Sequence, residues 1–190
     1  IVGLGKIDMA KLLIEKGADT NVKSNRYGWS ALMMAVTLDK IDMAKLLIEK
    51  GADLNVEDNK YGSTALIIAV NGGKIDMAKL LIEKGADMNV KNQPDGNTAL
   101  ILAVLKNNTD MAHLLIEKGA DMNVKSNIDG WTALMMAITL NRVGMAKLLI
   151  EKGADMNVKD NKAGSTVLMM TVTLNRVGMA KLLIEKGADM

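Results

Sequence analysis

The chain has 190 residues, of which 49% are apolar and 24% are charged, and its net charge at neutral pH is +2. This composition excludes a disordered tail, and the balanced charge argues against nucleic acid as a partner. The absence of cysteine excludes disulfides, thiol catalysis and thiolate metal sites, and it agrees with a cytoplasmic location. No apolar run is long enough to insert into a membrane.

One segment recurs along the whole chain. Residues 11–19 read KLLIEKGAD, and the segment returns every 34 residues, once with His113 in place of its lysine. A fixed period of this length is typical of stacked repeats. We therefore predict one repeat domain over 1–190, made of a partial repeat 1–24, repeats 25–58, 59–92, 93–126 and 127–160, and a truncated repeat 161–190. Because both ends cut a repeat, we expect the chain to be a fragment of a longer protein.

Each repeat opens with a glycine turn followed by a short apolar run. In repeat 25–58, Gly28 stands in the turn, Ser30 follows two residues later, and residues 31–36 are all apolar. Glycine at a fixed turn position indicates a positive φ, and a hydroxyl directly before an apolar run is typical of a helix N-cap. A helix that is apolar on most faces is expected to be buried.

A second turn and a second helix complete the repeat. Asp39 and its equivalents are Asp, Gly or Asn, the residues that tolerate the left-handed conformation. Asp42 stands at the start of the second helix, where we expect its carboxylate to cap the free N–H groups, and Gly51 is a stop signal. The alternation in 54–56 predicts a short extended arm that leads into the next glycine turn.

This order of arm, turn and two helices resembles the ankyrin repeat. The resemblance covers the whole chain, and it implies an all-α solenoid of helix–turn–helix pairs joined by β-hairpin-like loops. Tetratricopeptide repeats share the period, but their two-helix unit leaves no room for a regular G-A-D-x-N arm. The residues of repeat 59–92 that match the family pattern are Gly62, Thr64, Leu66, Ala69, Lys79, Leu80, Leu81, Gly85, Ala86, Asp87 and Asn89.

No group of residues in the sequence predicts catalysis. The single histidine, His113, occupies a position that is Lys in five other copies, so we interpret it as a surface helix residue. The recurrent Asp and Asn of G-A-D-x-N are interpreted as capping and hairpin residues. We therefore expect no enzymatic activity, no cofactor and no metal site.

Variation between copies points to a partner-binding surface. The second helices hardly change, whereas the hairpin tips and the ends of the first helices do, and all four aromatic residues lie beside turn glycines. The resemblance implies binding of a partner protein through the concave face formed by hairpin tips and first helices, and aromatic and Arg residues are typical anchors. The predicted partner-binding residues are Arg26, Tyr27, Trp29, Leu38, Lys60, Tyr61, Asn97, Lys106, Ile128, Trp131, Leu140 and Leu174.

Two alternatives stay open at this stage. One is that each ring packs on its own hairpin loop or on the next one. The near-identical repeats also suit an architectural spacer of a larger cytosolic or membrane-associated protein, with no ligand of its own. Terminal repeats without polar caps would in addition allow end-to-end self-association.

Overall fold

The computed structural model describes residues 4–189, and these residues form eleven α-helices and no strands. The first three residues of the predicted partial repeat and Met190 of the last one lie outside this range. After α1, short first helices of seven residues alternate with second helices of nine. The helices are α1 (Leu4–Glu15), α2 (Ala31–Thr37), α3 (Ile41–Glu49), α4 (Ala65–Asn71), α5 (Ile75–Glu83), α6 (Ala99–Leu105), α7 (Thr109–Glu117), α8 (Ala133–Thr139), α9 (Val143–Glu151), α10 (Val167–Thr173) and α11 (Val177–Glu185).

The chain divides into two compact units. Unit 1 ends at Val90 and contains α1 to α5, and unit 2 begins at Lys91 and contains α6 to α11. In unit 1, α2 packs on α3, α4 packs on α5, and the two first helices contact each other. In unit 2, α6, α8 and α10 each pack on their own second helix, and α8 also contacts both α6 and α10. Neighbouring repeats within a unit are therefore joined mainly through their first helices.

The first helices form the core of each unit. In α6, all residues from 99 to 104 are buried, as expected for a helix that is apolar on every face. In unit 1, Leu32 and Val36 of α2 are fully buried together with Leu47 of α3, and Ile48 is half-buried. One helix pair cannot bury its apolar residues alone, so each repeat completes the core of its neighbour.

Side-chain caps start the first helices as the sequence predicts. The hydroxyl of Ser30 accepts a hydrogen bond from the backbone N–H of Met33 at 3.3 Å, and Thr132 does the same for Met135 at 3.4 Å. The equivalent threonines of the other repeats occupy the same N-cap position. Each hydroxyl thus satisfies one of the free N–H groups at a helix start.

The predicted left-handed positions are confirmed. Asp39 has a φ of 54° and Asn141 a φ of 57°, and both follow a first helix directly after its C-cap residue. The glycine of the same position, Gly73, has a φ of 66°. The sequence therefore places the reversal between the two helices of a repeat correctly.

The predicted capping role of the aspartates is wrong. The second helices start one residue before Asp42, Asp76 and Asp110, which puts these residues in the first turn and makes Lys40, Lys74 and Asn108 the N-caps. Of these three N-cap side chains, only Asn108 caps its helix, by accepting from Met111 N at 3.0 Å. The aspartates still complement the helix dipole.

Cationic side chains tie neighbouring repeats together within each unit. The Lys74 ammonium donates to the carbonyls of Val36 and Thr37 at the end of α2, at 2.7 and 2.6 Å. In unit 2, Arg142 donates to Leu105 O at 2.8 Å and Arg176 to Thr139 O at 2.9 Å. A cation at the end of the preceding first helix satisfies free carbonyls and complements the dipole.

The Asp and Asn of the G-A-D-x-N arms bond within the loop and to the next repeat, not as the helix caps and hairpin residues that the sequence predicts, and residues 54 and 55 form a turn instead of an extended arm. Asp53 Oδ1 accepts from the backbone N–H of Asn55 at 2.8 Å, and Asn55 Oδ1 accepts from Asp87 N of the next repeat at 2.9 Å. Asn123 and Asp155 repeat the second contact in unit 2 at 2.9 Å. The recurrent carboxylates therefore act as loop acceptors.

Candidate partner-binding site

Five loops precede the first helices, and we call them fingers. They comprise residues 24–29, 58–63, 92–97, 126–131 and 160–165. Each finger is closed by a hydrogen bond of 2.9 to 3.0 Å, in which the backbone N–H of its first residue donates to the carbonyl of its last residue. Each finger holds a turn glycine with positive φ. The fingers are hairpin-like but contain no regular strands, because one or two backbone hydrogen bonds per finger are too few to form a β-ladder.

A polar side chain at the base of each finger organises its tip. Ser24 Oγ accepts from Trp29 N at 3.0 Å, and Asp58 Oδ1 accepts from both Lys60 N and Tyr61 N, at 2.8 and 2.6 Å. Sequence reasoning missed this series, although a small polar residue recurs there with the repeat period. The members of the series are Ser24, Asp58, Asn92, Ser126 and Asp160.

Adjacent fingers within a unit are joined by a hydrogen bond to the carbonyl that precedes the turn glycine. In unit 1, Asn59 N donates to Tyr27 O at 2.9 Å, beside Gly28. In unit 2, Asn127 N donates to Asp95 O at 2.7 Å, beside Gly96, and a Cβ added to this glycine would lie 2.6 Å from the donating nitrogen. A glycine is needed at these positions both for its φ and for the close approach of the next finger.

In unit 1 the structure brings five predicted residues into one group, which we call the fingertip cluster: Arg26, Tyr27, Trp29, Lys60 and Tyr61. The Tyr27 and Trp29 rings have centroids 6.2 Å apart and are tilted by 49°. Tyr27 is 43% and Tyr61 is 50% exposed, whereas Trp29 is half-buried. The rings thus pack on their own fingers and also present surface to solvent.

The cations of the cluster lie over its tyrosines. The Arg26 guanidinium carbon is 5.0 Å from the centroid of the Tyr27 ring, and the Lys60 nitrogen is 4.7 Å from that of Tyr61. Both distances are within the range of a cation–π interaction. The two side chains are therefore held near their rings while their charges remain exposed.

The predicted partner-binding residues on the fingers of unit 2 differ widely in solvent exposure. Ile128 is 60% exposed on its finger, Trp131 is half-buried, and Asn97 is buried, with 6% of its surface exposed. Asn97 therefore has little side-chain surface to offer a partner. On the neighbouring tips, Lys162 and Asp129 form an ion pair at 2.5 Å, and this hydrogen bond and charge raise the pKa of Lys162.

The remaining predicted residues lie at the far ends of the first helices. Leu38 is the C-cap of α2 and is 63% exposed, and Leu140 and Leu174 are the C-caps of α8 and α10 at 44% and 40%. Lys106, the C-cap of α6, is also exposed. A seven-residue helix is about 10 Å long, so Leu38 is separated from the fingertip cluster by the length of α2.

The fifth finger gives a pH-dependent prediction. The backbone N–H of Ala163, and after it those of Ser165 and Lys162, lower the pKa of Asp160 by hydrogen bonding to its carboxylate. Because the folded pKa lies below the unfolded value of about 3.9, the carboxylate stabilises the finger above that value, and the contribution is lost as the pH falls through the folded pKa. We expect the Ala163 amide resonance to titrate with a midpoint below about 3.9.

The measurement is a pH series of amide NMR spectra. Asp160→Asn is the control, and in this variant the acid-dependent shift of Ala163 should disappear. A midpoint at or above the ordinary aspartate value would contradict the role of Asp160 as the acceptor that organises the finger.

Other kinds of site are not evident in the described part of the chain. Within residues 4–189, no group of three or more His, Cys, Asp or Glu side chains could hold a metal ion. None of the helices there combines the length and the apolar character that a membrane crossing needs. His113 is half-buried on α7.

Comparison with known proteins identifies the family. A family model described as ankyrin repeats (3 copies) matches residues 1–58, 55–126, 89–160 and 122–190, so the chain belongs to the ankyrin repeat family. A search of curated proteins found no match. Among solved structures, the chain is similar to the ankyrin repeat domain of Bcl-3, described as a unique member of the IkappaB protein family. The TM-score is 0.86 at 25% identity, over 96% of this chain and 80% of that one.

These findings confirm both the ankyrin resemblance and the predicted fold class, an all-α ankyrin-repeat solenoid with hairpin-like loops. Ankyrin repeats are generally protein–protein interaction modules and are typically non-enzymatic scaffolds. The twelve partner-binding residues and the single-domain organisation stay predictions.

Proposed function

We propose that this chain binds a partner protein through its fingers and the first helices behind them, the concave face of an ankyrin repeat domain. The observation that carries the proposal is the fingertip cluster, because its tyrosine rings and its cations are exposed on loops held by side-chain and inter-finger hydrogen bonds. Binding residues are often placed on loops held by a rigid scaffold, and Tyr, Trp and Arg are frequent anchors. The proposed location is the cytoplasm, in agreement with the absence of cysteine.

A spacer role is the second candidate. The observation that favours it is the identity of the second helices, since α3 and α5 both read IDMAKLLIE and α9 and α11 both read VGMAKLLIE. A surface used for recognition would be expected to differ between copies. The second helices, however, are not the surface proposed to bind, and the fingers do differ.

The test is a double substitution, Trp29→Ala with Trp131→Ala. If these residues anchor a partner, we expect at least a tenfold loss of capture, because truncating an anchor commonly costs more than 1 kcal/mol. The immobilised full chain is exposed to native lysate, and bound proteins are quantified by mass spectrometry. The control, Val143→Ala with Val177→Ala, removes exposed apolar surface from the starts of α9 and α11.

A partner is a protein captured by the wild-type chain and the control but lost from the tryptophan variant. If all three capture the same proteins while circular dichroism shows intact folding, the tryptophan anchors are refuted. If none of the three chains captures any protein specifically, the spacer role is supported.

End-to-end self-association is also a proposal. On α10, Met169 and Val172 are 54% and 70% exposed, whereas Met135 and Ile138, their equivalents on α8, are buried in unit 2. These exposed residues would form the apolar contact between copies.

A further inference from the structure

The two cations of the fingertip cluster are outside any ion pair in the described residues. In the part of the chain that the structure describes, neither Arg26 nor Lys60 forms an ion pair with a carboxylate. Lys162, at the position equivalent to Lys60 in the fifth finger, is in contrast paired with Asp129 at 2.5 Å. The same finger position thus carries a cation paired with a carboxylate in unit 2 and a cation without an ion pair in unit 1.

The acidic residues of the same fingers leave these cations available. Asp58 is buried, and its Oδ1 accepts from the backbone N–H groups of Lys60 and Tyr61. Within the two fingers themselves, residues 24–29 and 58–63, Asp58 is the one carboxylate, whereas Arg26 and Lys60 are both exposed. The two fingers of unit 1 therefore present exposed cations and no exposed carboxylate.

The two cations are held in fixed relation to each other. Asn59 N donates to Tyr27 O, so the finger with Arg26 and the finger with Lys60 are joined directly at their tips. Each cation also lies over the tyrosine that follows it, at 5.0 and 4.7 Å. Side chains ordered before binding lose less conformational entropy when a partner arrives.

The geometry points to a carboxylate-rich segment of a protein as the ligand of the fingertip cluster. Arg26 and Lys60 would pair with the acidic side chains of this segment. Trp29 and the exposed tyrosine edges would contact its backbone and aliphatic carbons. This inference rests on the proposed function and specifies the chemistry of the partner. Arginine in particular recognises carboxylates by two parallel hydrogen bonds.

Single-stranded nucleic acid is the less favoured ligand. Such ligands need stacking on open aromatic faces together with a groove of several cations along the backbone. Here the cations lie over the faces of Tyr27 and Tyr61, and the net charge of the chain is only +2.

The experiment measures binding of three probes to the full chain by calorimetry at low salt. The probes are a peptide of alternating Glu and Gly, a neutral peptide of equal length with Gln in place of Glu, and an oligothymidylate. The test variant is Arg26→Gln with Lys60→Gln. The control is Lys45→Gln with Lys79→Gln, which makes the same change in net charge on exposed positions of α3 and α5.

We expect the acidic peptide to bind, the neutral peptide to bind at least tenfold more weakly, and the test variant to lose about tenfold in affinity for the acidic peptide. The control should stay within about twofold of the wild type, since its lysines lie off the fingers. Equal losses in the test and control variants, no preference for the acidic peptide, no binding of it, or tighter binding of oligothymidylate would each overturn the inference.

The same variants separate this inference from the proposed function. If proteins captured by the wild-type chain are lost with the tryptophan substitutions but retained by Arg26→Gln with Lys60→Gln, protein binding stands and the acidic ligand is refuted. If the tryptophan substitutions change nothing, the proposed anchors fail whatever the peptides do.

Discussion

Replacing Leu134 with alanine is expected to destabilise the chain by about 2 to 5 kcal/mol. Leu134 lies in α8, where its side chain is completely buried, and α8 contacts α6, α9 and α10. The substitution removes apolar contacts and leaves a cavity that the surrounding helices can close only in part. Chemical denaturation followed by circular dichroism measures the change in the free energy of unfolding.

Leu140→Ala is the matched control for this prediction. Leu140 is the C-cap residue of the same helix, but it is 44% exposed, so its loss should change stability by less than about 0.5 kcal/mol. If the two variants were equally destabilised, the assignment of Leu134 to the core and Leu140 to the surface would be wrong. Weaker partner capture by Leu140→Ala at unchanged stability would support its predicted binding role.

Gly96→Ala is expected to destabilise unit 2 by about 2 to 5 kcal/mol, the sum of the costs of a left-handed backbone and of an overpacked contact. Gly96 has a φ of 72°, and the added Cβ would lie 2.6 Å from the backbone nitrogen of Asn127, which no side-chain rotation can relieve. The finger 126–131 must move away, and the hydrogen bond from Asn127 N to Asp95 O should be lost.

Gly164→Ala isolates the backbone contribution. Gly164 has a φ of 65°, but an added Cβ meets nothing within 4 Å, so we expect a cost of about 1 to 2 kcal/mol. Unfolding free energies and the exchange rate of the Asn127 amide should separate the two glycines. Equal destabilisation by both substitutions would show that finger-to-finger contact adds nothing at Gly96.

The sequence predicts most of the fold because its signals are local and repeated. The 34-residue period, the hydroxyl before each first helix and the Gly, Asn or Asp at each reversal depend on a few neighbouring residues, and the structure confirms them. The aspartates of the second helices are an exception, because they lie two residues after the N-cap, in the first turn of each helix. A carboxylate near a helix start can either cap N–H groups or only complement the dipole, and the pattern alone does not separate these roles.

The site is less predictable because it depends on contacts between repeats. The pairing of Lys162 with Asp129 requires a lysine and an aspartate from different fingers, and the bond from Lys74 to the end of α2 requires the spacing of two helix pairs. The burial of Asn97 likewise follows from how its finger packs. Which residues vary can be read from the copies, but which of them remain exposed cannot.

The hydrogen bonds between repeats have a consequence for how the protein folds. Within each unit they join residues only 30 to 38 positions apart, from Asn21 with Gly51 to Lys74 with Val36. Contacts of such short sequence separation close small loops, which favours fast folding that can begin at any repeat and spread to its neighbours. Under a pulling force, the chain would then lengthen in steps of about one repeat.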